Sequence, residues 1–500
     1  MKISYNPNRV MMTASPLLYG HFLEHFHRQV YGGVYDPKSP FADEDGFRTD
    51  VIDAMKKIKV PIIRWPGGCF VSAYHWKKAV GPVRTPYFDK AWRVEDPNDF
   101  GTDEFVKFCR KIGCEPYICT NAGTGTAEEM SDWVEYCNLE NEGEFAKQRI
   151  ANGSPEPHNV KYWSIGNENY GSWEIGAKEA DEWGRLVMES AKMMKHIDPT
   201  IELSAAAIAD LDWNMNILKR CGRRLNWISL HGYWNIMAED NTFATYEESM
   251  ACTNMMDDSI KKTRGMLAAF GLEKDIKIAF DEWNLRGWHH PGVHQLEISS
   301  DKAYYLGARD LNDRNQDYTM ADTVFTGSFL NMLLKNSDIV GMANFAPIIN
   351  TRGCIFTYDG GLVLRGTYHV FDLFVNHMGQ EVLDFWTDEE ETMETRHKDG
   401  HIENVPILDS VLTRREDGVL AISAINKHPE ETRELSFENI LGEKKELTAY
   451  RMLSVNAPST ESYNDVDHEE IKLTKGEWLP YTEGMSFTIP AHSVNVIELK

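Results

Sequence analysis

The 500-residue chain has no apolar run long enough to span a membrane. Its opening residues, Met1-Lys2-Ile3-Ser4-Tyr5-Asn6-Pro7, lack the apolar stretch of a secretion signal. A cytoplasmic protein with no membrane partner is therefore expected. Positive charge is scarce: 52 Lys and Arg stand against 77 Asp and Glu, for a net charge of −25. Such a surface neutralises few phosphates, which excludes nucleic acid, and it does not dock on anionic lipid. A neutral substrate fits. The eight cysteines form no CxxC pair and no dense framework, so reduced thiols are expected. No GxGxxG or P-loop occurs between a strand and a helix, so no nucleotide cofactor is expected. His25-x-His27 and His289-His290 lack helical ligand spacing and a companion Cys or Asp set, so no metal is expected either.

What the chain does have is rhythm. Short strand-like runs alternate with helical periodicity at Leu17–Phe26, Val60–Gly68, Glu115–Ala122, Tyr162–Ile165, Ile201–Ala207, Trp227–Trp234, Ile276–Phe280 and Ile339–Pro347. Helices are expected near 49–58, 102–113, 127–137, 177–197, 215–221, 246–270, 320–335 and 367–377, with Thr49 or Asp50 capping the first. Repeated strand–helix units indicate a (β/α)8 TIM barrel over residues 17–379. After Gln380 the pattern becomes short alternating strands, such as Val419–Ile425 and Phe487–Ile497, which indicates an all-β, jelly-roll-like sandwich over 380–500. Residues 1–16 read as a strand that joins that sandwich.

Several barrel strands end abruptly in polar residues. Tyr162-Trp-Ser-Ile-Gly-Asn-Glu168 and Ile276-Lys-Ile-Ala-Phe-Asp-Glu282 share this design. All strand C-termini of a parallel barrel face one mouth, so Glu24, Arg64, Asn167, Glu168, His231, Tyr233, Asp281 and Glu282 converge there. Two carboxyl groups across a glycosidic bond supply a general acid and a nucleophile or base. Aromatic residues make up 11% of the chain. Trp173, Trp234 and Trp288 follow rim strands, where they either stack on sugar or pack.

In chain order, Tyr19-Gly-His-Phe-Leu-Glu24, Tyr31-Gly-Gly-Val-Tyr35, Arg64-Trp-Pro-Gly-Gly68, Gly166-Asn-Glu168, Ser229-Leu-His-Gly-Tyr233 and Asp281-Glu-Trp-Asn284 resemble glycoside hydrolase family 51 of clan A, typified by α-L-arabinofuranosidases. The resemblance implies a retaining, double-displacement mechanism with Glu168 as acid/base and Glu282 as nucleophile. It also implies that Asn167 binds the sugar 2-hydroxyl, Tyr233 holds Glu282, Arg64 favours its ionised form, His231 orients neighbours and Glu24 binds furanose hydroxyls. On this reading the charge of Glu282 keeps Glu168 protonated until the sugar esterifies Glu282. Cys69 stands where many relatives have Asn, and Pro347 where many have Gln, so the pocket grips its sugar differently. Cys69 and Trp288 complete the expected substrate contacts. The implied activity is exo-release of terminal α-L-arabinofuranose from arabino-oligosaccharides by a homo-oligomer, a hexamer or trimer. An endo-β-glucanase, a β-xylosidase or a non-catalytic sugar-binding barrel remain the alternatives.

Overall fold

Barrel and sandwich are each built from strands whose burial follows from their neighbours. The computed structural model describes residues 1–235, 243–287, 302–388, 391–397, 399–439 and 447–500. The barrel strands are, in chain order, Gly20–Phe22, Ile62–Trp65, Glu115–Thr120, Tyr162–Ile165, Glu202–Ala205, Trp227–Asn235, Lys277–Arg286 and Val340–Phe345. They form one 8-stranded sheet of parallel pairs. The ladder opens only between Glu202–Ala205 and Trp227–Asn235. There Asn226 bridges the gap: its N–H donates to the Leu203 carbonyl (2.9 Å), and its Oδ1 accepts from the Leu203 N–H (3.1 Å). Helices cover the outside, so these strands are buried on both faces and read as continuous apolar runs.

Helix Thr102–Ile112 shows how local sequence sets an element. Glu104 accepts from the Gly101 N–H (2.8 Å) at its start, and Gly113, at φ 89°, ends it in a left-handed conformation. Phe105, Phe108, Cys109 and Ile112 lie on the buried face between.

Local reading goes astray elsewhere. Arg48, not Thr49 or Asp50, occupies the cap of Thr49–Lys57, because Thr49 donates its hydroxyl to the Phe41 carbonyl and Asp50 pairs with Arg48. The single helix expected over 246–270 is broken into Tyr246–Ala251, a turn at Cys252–Asn254, and Asp258–Ala269. Thr253 turns its hydroxyl onto the Met250 carbonyl (2.7 Å), and Asn254 donates to the Asn404 carbonyl (3.0 Å) of a neighbouring hairpin, so tertiary bonds outcompete helix continuation. Helix Gly143–Ala151 was not expected. It is short, and only Ala146 and Arg149 in it are buried, which leaves little apolar periodicity to read.

Strand Lys2–Thr13 pairs antiparallel with Glu381–Thr387 and parallel with Arg433–Asn439, so both ends of the chain build one 10-stranded β structure. Helix Met320–Lys335 is buried along nearly its whole length because the barrel covers one side and the sandwich the other. A Cβ at Gly327 would meet Val494 at 2.9 Å and Ile425 at 3.1 Å, so glycine is what lets the sandwich approach the helix. Glu498 of the sandwich accepts from His377 of the barrel's last helix (2.8 Å) and from Arg415 (2.8 Å), and also pairs with Arg451. Among the described residues, no helix is long and apolar enough to cross a membrane.

Candidate active site

The strand ends converge as their polar residues suggest. After Tyr162–Ile165 the chain turns sharply: Gly166 has φ 72° and Glu168 has φ 44°. A Cβ at Gly166 would lie 2.1 Å from Asn169 Oδ1, the atom that accepts the Asn167 N–H (3.1 Å). Glycine and an Asx turn therefore hold Glu168 in a left-handed conformation that costs a non-glycine residue on the order of 1–3 kcal/mol. That strain projects the Glu168 carboxyl over the barrel mouth.

Strand Lys277–Arg286 presents its acids by a different device. Its pairing with Trp227–Asn235 slips between Ala279 and Glu282. In a regular strand neighbouring side chains point to opposite faces; a bulge re-aims one of them. Asp281 thus reaches Tyr117 (2.7 Å) and Ser229 (2.6 Å) inside the barrel, while Glu282 reaches the mouth. There Glu282 Oε1 accepts from Arg64 (2.8 Å) and Oε2 from the Tyr233 hydroxyl (2.7 Å). Glu282 and Arg64 are almost wholly buried.

Arg64 also donates to Asn167 Oδ1 (2.8 Å), so one guanidinium links the second, fourth and seventh strands. Glu24 lies beside them under the Pro66–Gly68 turn. Its Oε1 accepts from the N–H groups of Gly68 (3.0 Å) and Phe70 (3.1 Å) and from the Trp92 indole (3.1 Å), which leaves Oε2 for a ligand hydroxyl. A Cβ at Gly68 would stand 3.2 Å from Glu282 Oε1 and 3.5 Å from Glu24 Oε1. The missing side chain is thus part of the binding space.

His231 sits among the acids. Its Nδ1 lies 2.8 Å from Glu168 Oε1 and 3.6 Å from Glu282 Oε2, and its Nε2 is 3.4 Å from Asp281 Oδ1. Burial alone would push the imidazole down; the charges and hydrogen bonds of Glu282, Asp281 and Glu168 outweigh it and push it up to about 10. This changes the expected electrostatics. Burial raises the Glu168 carboxyl, but the His231 hydrogen bond and charge, with the Trp173 indole donating to Oε2 (2.8 Å), hold it below its ordinary value in the open site. The expectation that Glu282 alone keeps Glu168 protonated left out the cation between them. Burial pushes Glu282 up against the opposing charges of His231 and Arg64.

Glu24, Arg64, Asn167, Glu168, His231, Tyr233 and Glu282 are thus brought together. Cys69 joins them: ligand-capable atoms of Cys69, Glu168 and Glu174 all lie within 4.8 Å of one another. Burial, with the charges of Glu174, Glu168 and Glu24, pushes the Cys69 thiol well above its ordinary value, so it stays a protonated thiol. Trp288 and His289-His290 lie outside the described residues. Trp173 stands at the rim, 37% exposed, whereas Trp234 packs on Phe280, Phe325 and Phe329. His25 is structural: Nδ1 pairs with Asp96 (2.8 Å) and Nε2 accepts from Trp65 (3.0 Å). Among the described residues, the groups able to hold a metal are Cys69–Glu168–Glu174 and Glu168–His231–Glu282. Both would take Glu168 as a ligand.

Sequence reasoning missed Trp92, Tyr170, whose hydroxyl donates to Glu168 Oε1 (3.3 Å), and Glu174. Tyr170 and Glu174 lie in the polar turn after Glu168, a signal within reach. Trp92 comes from the distant hairpin Tyr87–Asp89/Val94–Asp96, and nothing in its local sequence marks it.

Comparison with known proteins agrees over the whole chain. Residues 54–267 match the family model described as the α-L-arabinofuranosidase 1 domain, and residues 281–493 match the α-L-arabinofuranosidase C-terminal domain. The chain is 31% identical to the α-L-arabinofuranosidase C of Emericella nidulans over 519 residues, covering 100% of this chain and 97% of that protein. It is 34% identical over 428 residues to the intracellular exo-α-(1→5)-L-arabinofuranosidase of Halalkalibacterium halodurans, covering 84% of this chain and 83% of that one. The structure superposes on the GH51 α-L-arabinofuranosidase of Thermotoga petrophila with a TM-score of 0.82, 35% identity and complete coverage (100%) of both chains.

Proposed function

The chain belongs to glycoside hydrolase family 51, the α-L-arabinofuranosidases, and on that premise we propose that Glu282 is the nucleophile and Glu168 the acid/base of its retaining hydrolysis. The enzyme is an exo-acting α-L-arabinofuranosidase. One observation supports the retaining mechanism: carboxyl oxygens of Glu168 and Glu282 lie within 4.8 Å of each other. Retaining enzymes hold the pair about 5–5.5 Å apart, whereas inverting ones leave about 6.5–9.5 Å for a water.

In the first step Glu282 attacks the anomeric carbon, with Arg64 and Tyr233 fixing its two oxygens. The bond to the leaving oxygen breaks as that oxygen takes a proton from Glu168. In the open site that proton belongs to the His231–Glu168 pair, whose 2.8 Å contact lets it pass from Nδ1 to the carboxylate. In the second step Glu168, ionised after the first transfer, removes a proton from water, and the hydroxide displaces Glu282. The pair thereby regains its proton. Asn167 donates to the sugar 2-hydroxyl, a contact that strengthens as positive charge develops on the ring. Glu24 Oε2 takes a further hydroxyl.

The proposed substrate is a short α-(1→5)-linked or otherwise arabinose-decorated oligosaccharide, following the Halalkalibacterium relative's name. That name also supports a cytoplasmic location. Family resemblance supports a homo-oligomer, tested by light scattering on the purified protein. The main test is turnover of aryl α-L-arabinofuranoside beside the β-D-xyloside, β-D-glucoside and β-D-galactofuranoside, with proton NMR of the first-formed sugar. Arabinofuranoside turnover with retained configuration is expected. Preference for another glycoside, or an inverted product, would overturn the proposal.

A further inference from the structure

The roles above leave the buried acid beside Glu168 and Asn167 without a task. Glu174, 4% exposed, lies in the turn after Glu168 and is packed against Cys69 and Ser72. Its Oε2 accepts from Asn167 Nδ2 (3.3 Å). Neither its Oε1 nor the neighbouring Ser72 hydroxyl, both buried, makes a hydrogen bond of good geometry; the donors nearest the carboxyl are the Ser72 hydroxyl, the Cys69 thiol and the Asn167 amide. No cation pairs with Glu174 among the described residues: the Arg64 guanidinium is spent on Glu282, Asn167, Cys119 and Asp281. The site already sets Glu168, Asp281 and Glu282 against only Arg64 and His231, while burial and the Glu282 charge push the Glu24 carboxyl well above its ordinary value. An additional unpaired carboxylate beside Glu168 would be a buried, uncompensated charge.

We propose that Glu174 is a positioning residue, a neutral carboxylic acid that clamps the Asn167 amide for the sugar 2-hydroxyl while adding no charge beside Glu168. This rests on the assignment of Glu168 and Asn167 made above. The geometry explains the clamp. Asn167 Oδ1 is fixed by Arg64 and one Nδ2 hydrogen is fixed by Glu174, so the amide cannot flip and its second hydrogen is left for the ligand. Burial, helped by the Glu168 charge, pushes Glu174 up to about 8 against the hydrogen bonding of Ser72, Cys69 and Asn167. The titratable groups facing it are Glu168 and the protonated Cys69 thiol; Arg64 reaches it only through Asn167.

The test compares wild type, Glu174→Gln and Glu174→Ala on an aryl α-L-arabinofuranoside and its 2-deoxy counterpart between pH 5 and 10, with thermal unfolding of each. Gln, neutral and of the same shape, is expected to keep kcat/KM within about threefold and leave the alkaline limb in place. Ala is expected to lose about tenfold or more, mainly in kcat, with the loss shrinking on the 2-deoxy substrate. An alkaline limb lowered by about one unit or more in Glu174→Gln would show that an ionised Glu174 had been raising Glu168, and would overturn the proposal. So would an Ala variant equally impaired, or unimpaired, on both substrates. Wild type inert on the arabinofuranoside would instead overturn the parent assignment, and this one with it.

Discussion

Replacing Tyr233 with phenylalanine removes one hydroxyl from the pocket, and the consequence can be worked out from the geometry. The phenol donates to Glu282 Oε2 at 2.7 Å, and Glu282 is only 3% exposed. A hydrogen bond to a charged group contributes about 1.5–3 kcal/mol. The donor favours the ionised carboxylate, so its loss raises the Glu282 pKa. With about 1.4 kcal/mol per pH unit, and with Arg64 still bound to Oε1, the rise is about one unit. The acidic limb of kcat/KM reports ionisation of the nucleophile in the free enzyme. In Tyr233→Phe that limb should move up by about one unit, so that activity lost on its acidic side exceeds the plateau loss by about tenfold. The assay is kcat/KM on an aryl α-L-arabinofuranoside from pH 4 to 9, with thermal unfolding as a control. A loss equal at every pH in a fully folded variant would refute the reasoning and reduce Tyr233 to a shaping residue.

Further outcomes are expected at both carboxyls, at the rim and between the domains. Glu282→Gln should lose several orders of magnitude on every aryl glycoside, because an amide forms no glycosyl ester. Glu168→Ala should fall by about 10²–10⁴ on a poor leaving group, much less on an activated one. Azide should then restore turnover and yield a glycosyl azide of retained configuration, detected by NMR; no azide product would remove Glu168 from the acid/base role. Trp173→Phe removes the indole donor that favours ionised Glu168. The proton shared with His231 is then held more tightly, and the alkaline limb of kcat/KM should rise by about half a unit to one unit. Glu498→Gln leaves His377, Arg415 and Arg451 without their shared carboxylate and should destabilise by about 3–5 kcal/mol at pH 7. Burial raises Glu498, but those partners hold it at about 2 against an ordinary 4.5. Its contribution is therefore complete above about pH 5 and fades as pH falls toward 2, so the gap in melting temperature between variant and wild type should close over that window.

The barrel and the two acids were legible because both are written locally. A buried parallel strand has to be apolar throughout and stops being so where it meets the mouth. Tyr162–Ile165 followed by Gly-Asn-Glu, and Lys277–Phe280 followed by Asp-Glu, therefore declare both their element and their ends. Helix breaks such as Cys252–Asn254 were not legible, because the bond that ends the helix comes from a hairpin far along the chain.

Sequence alone determined the strand–helix rhythm, the sandwich texture after residue 380 and which carboxyls stand at strand ends. Those follow from burial and backbone hydrogen bonding over a few residues. Only the tertiary structure decided what each carboxyl means. It seated His231 between Glu168, Glu282 and Asp281 and slipped strand Lys277–Arg286 so that Asp281 and Glu282 both face inward. It also brought Trp92 onto Glu24 and buried Glu174 beneath Asn167. Charge states depend on neighbours in space, and a carboxyl's neighbours here come from strands and loops up to 218 residues away, as Arg64 is from Glu282.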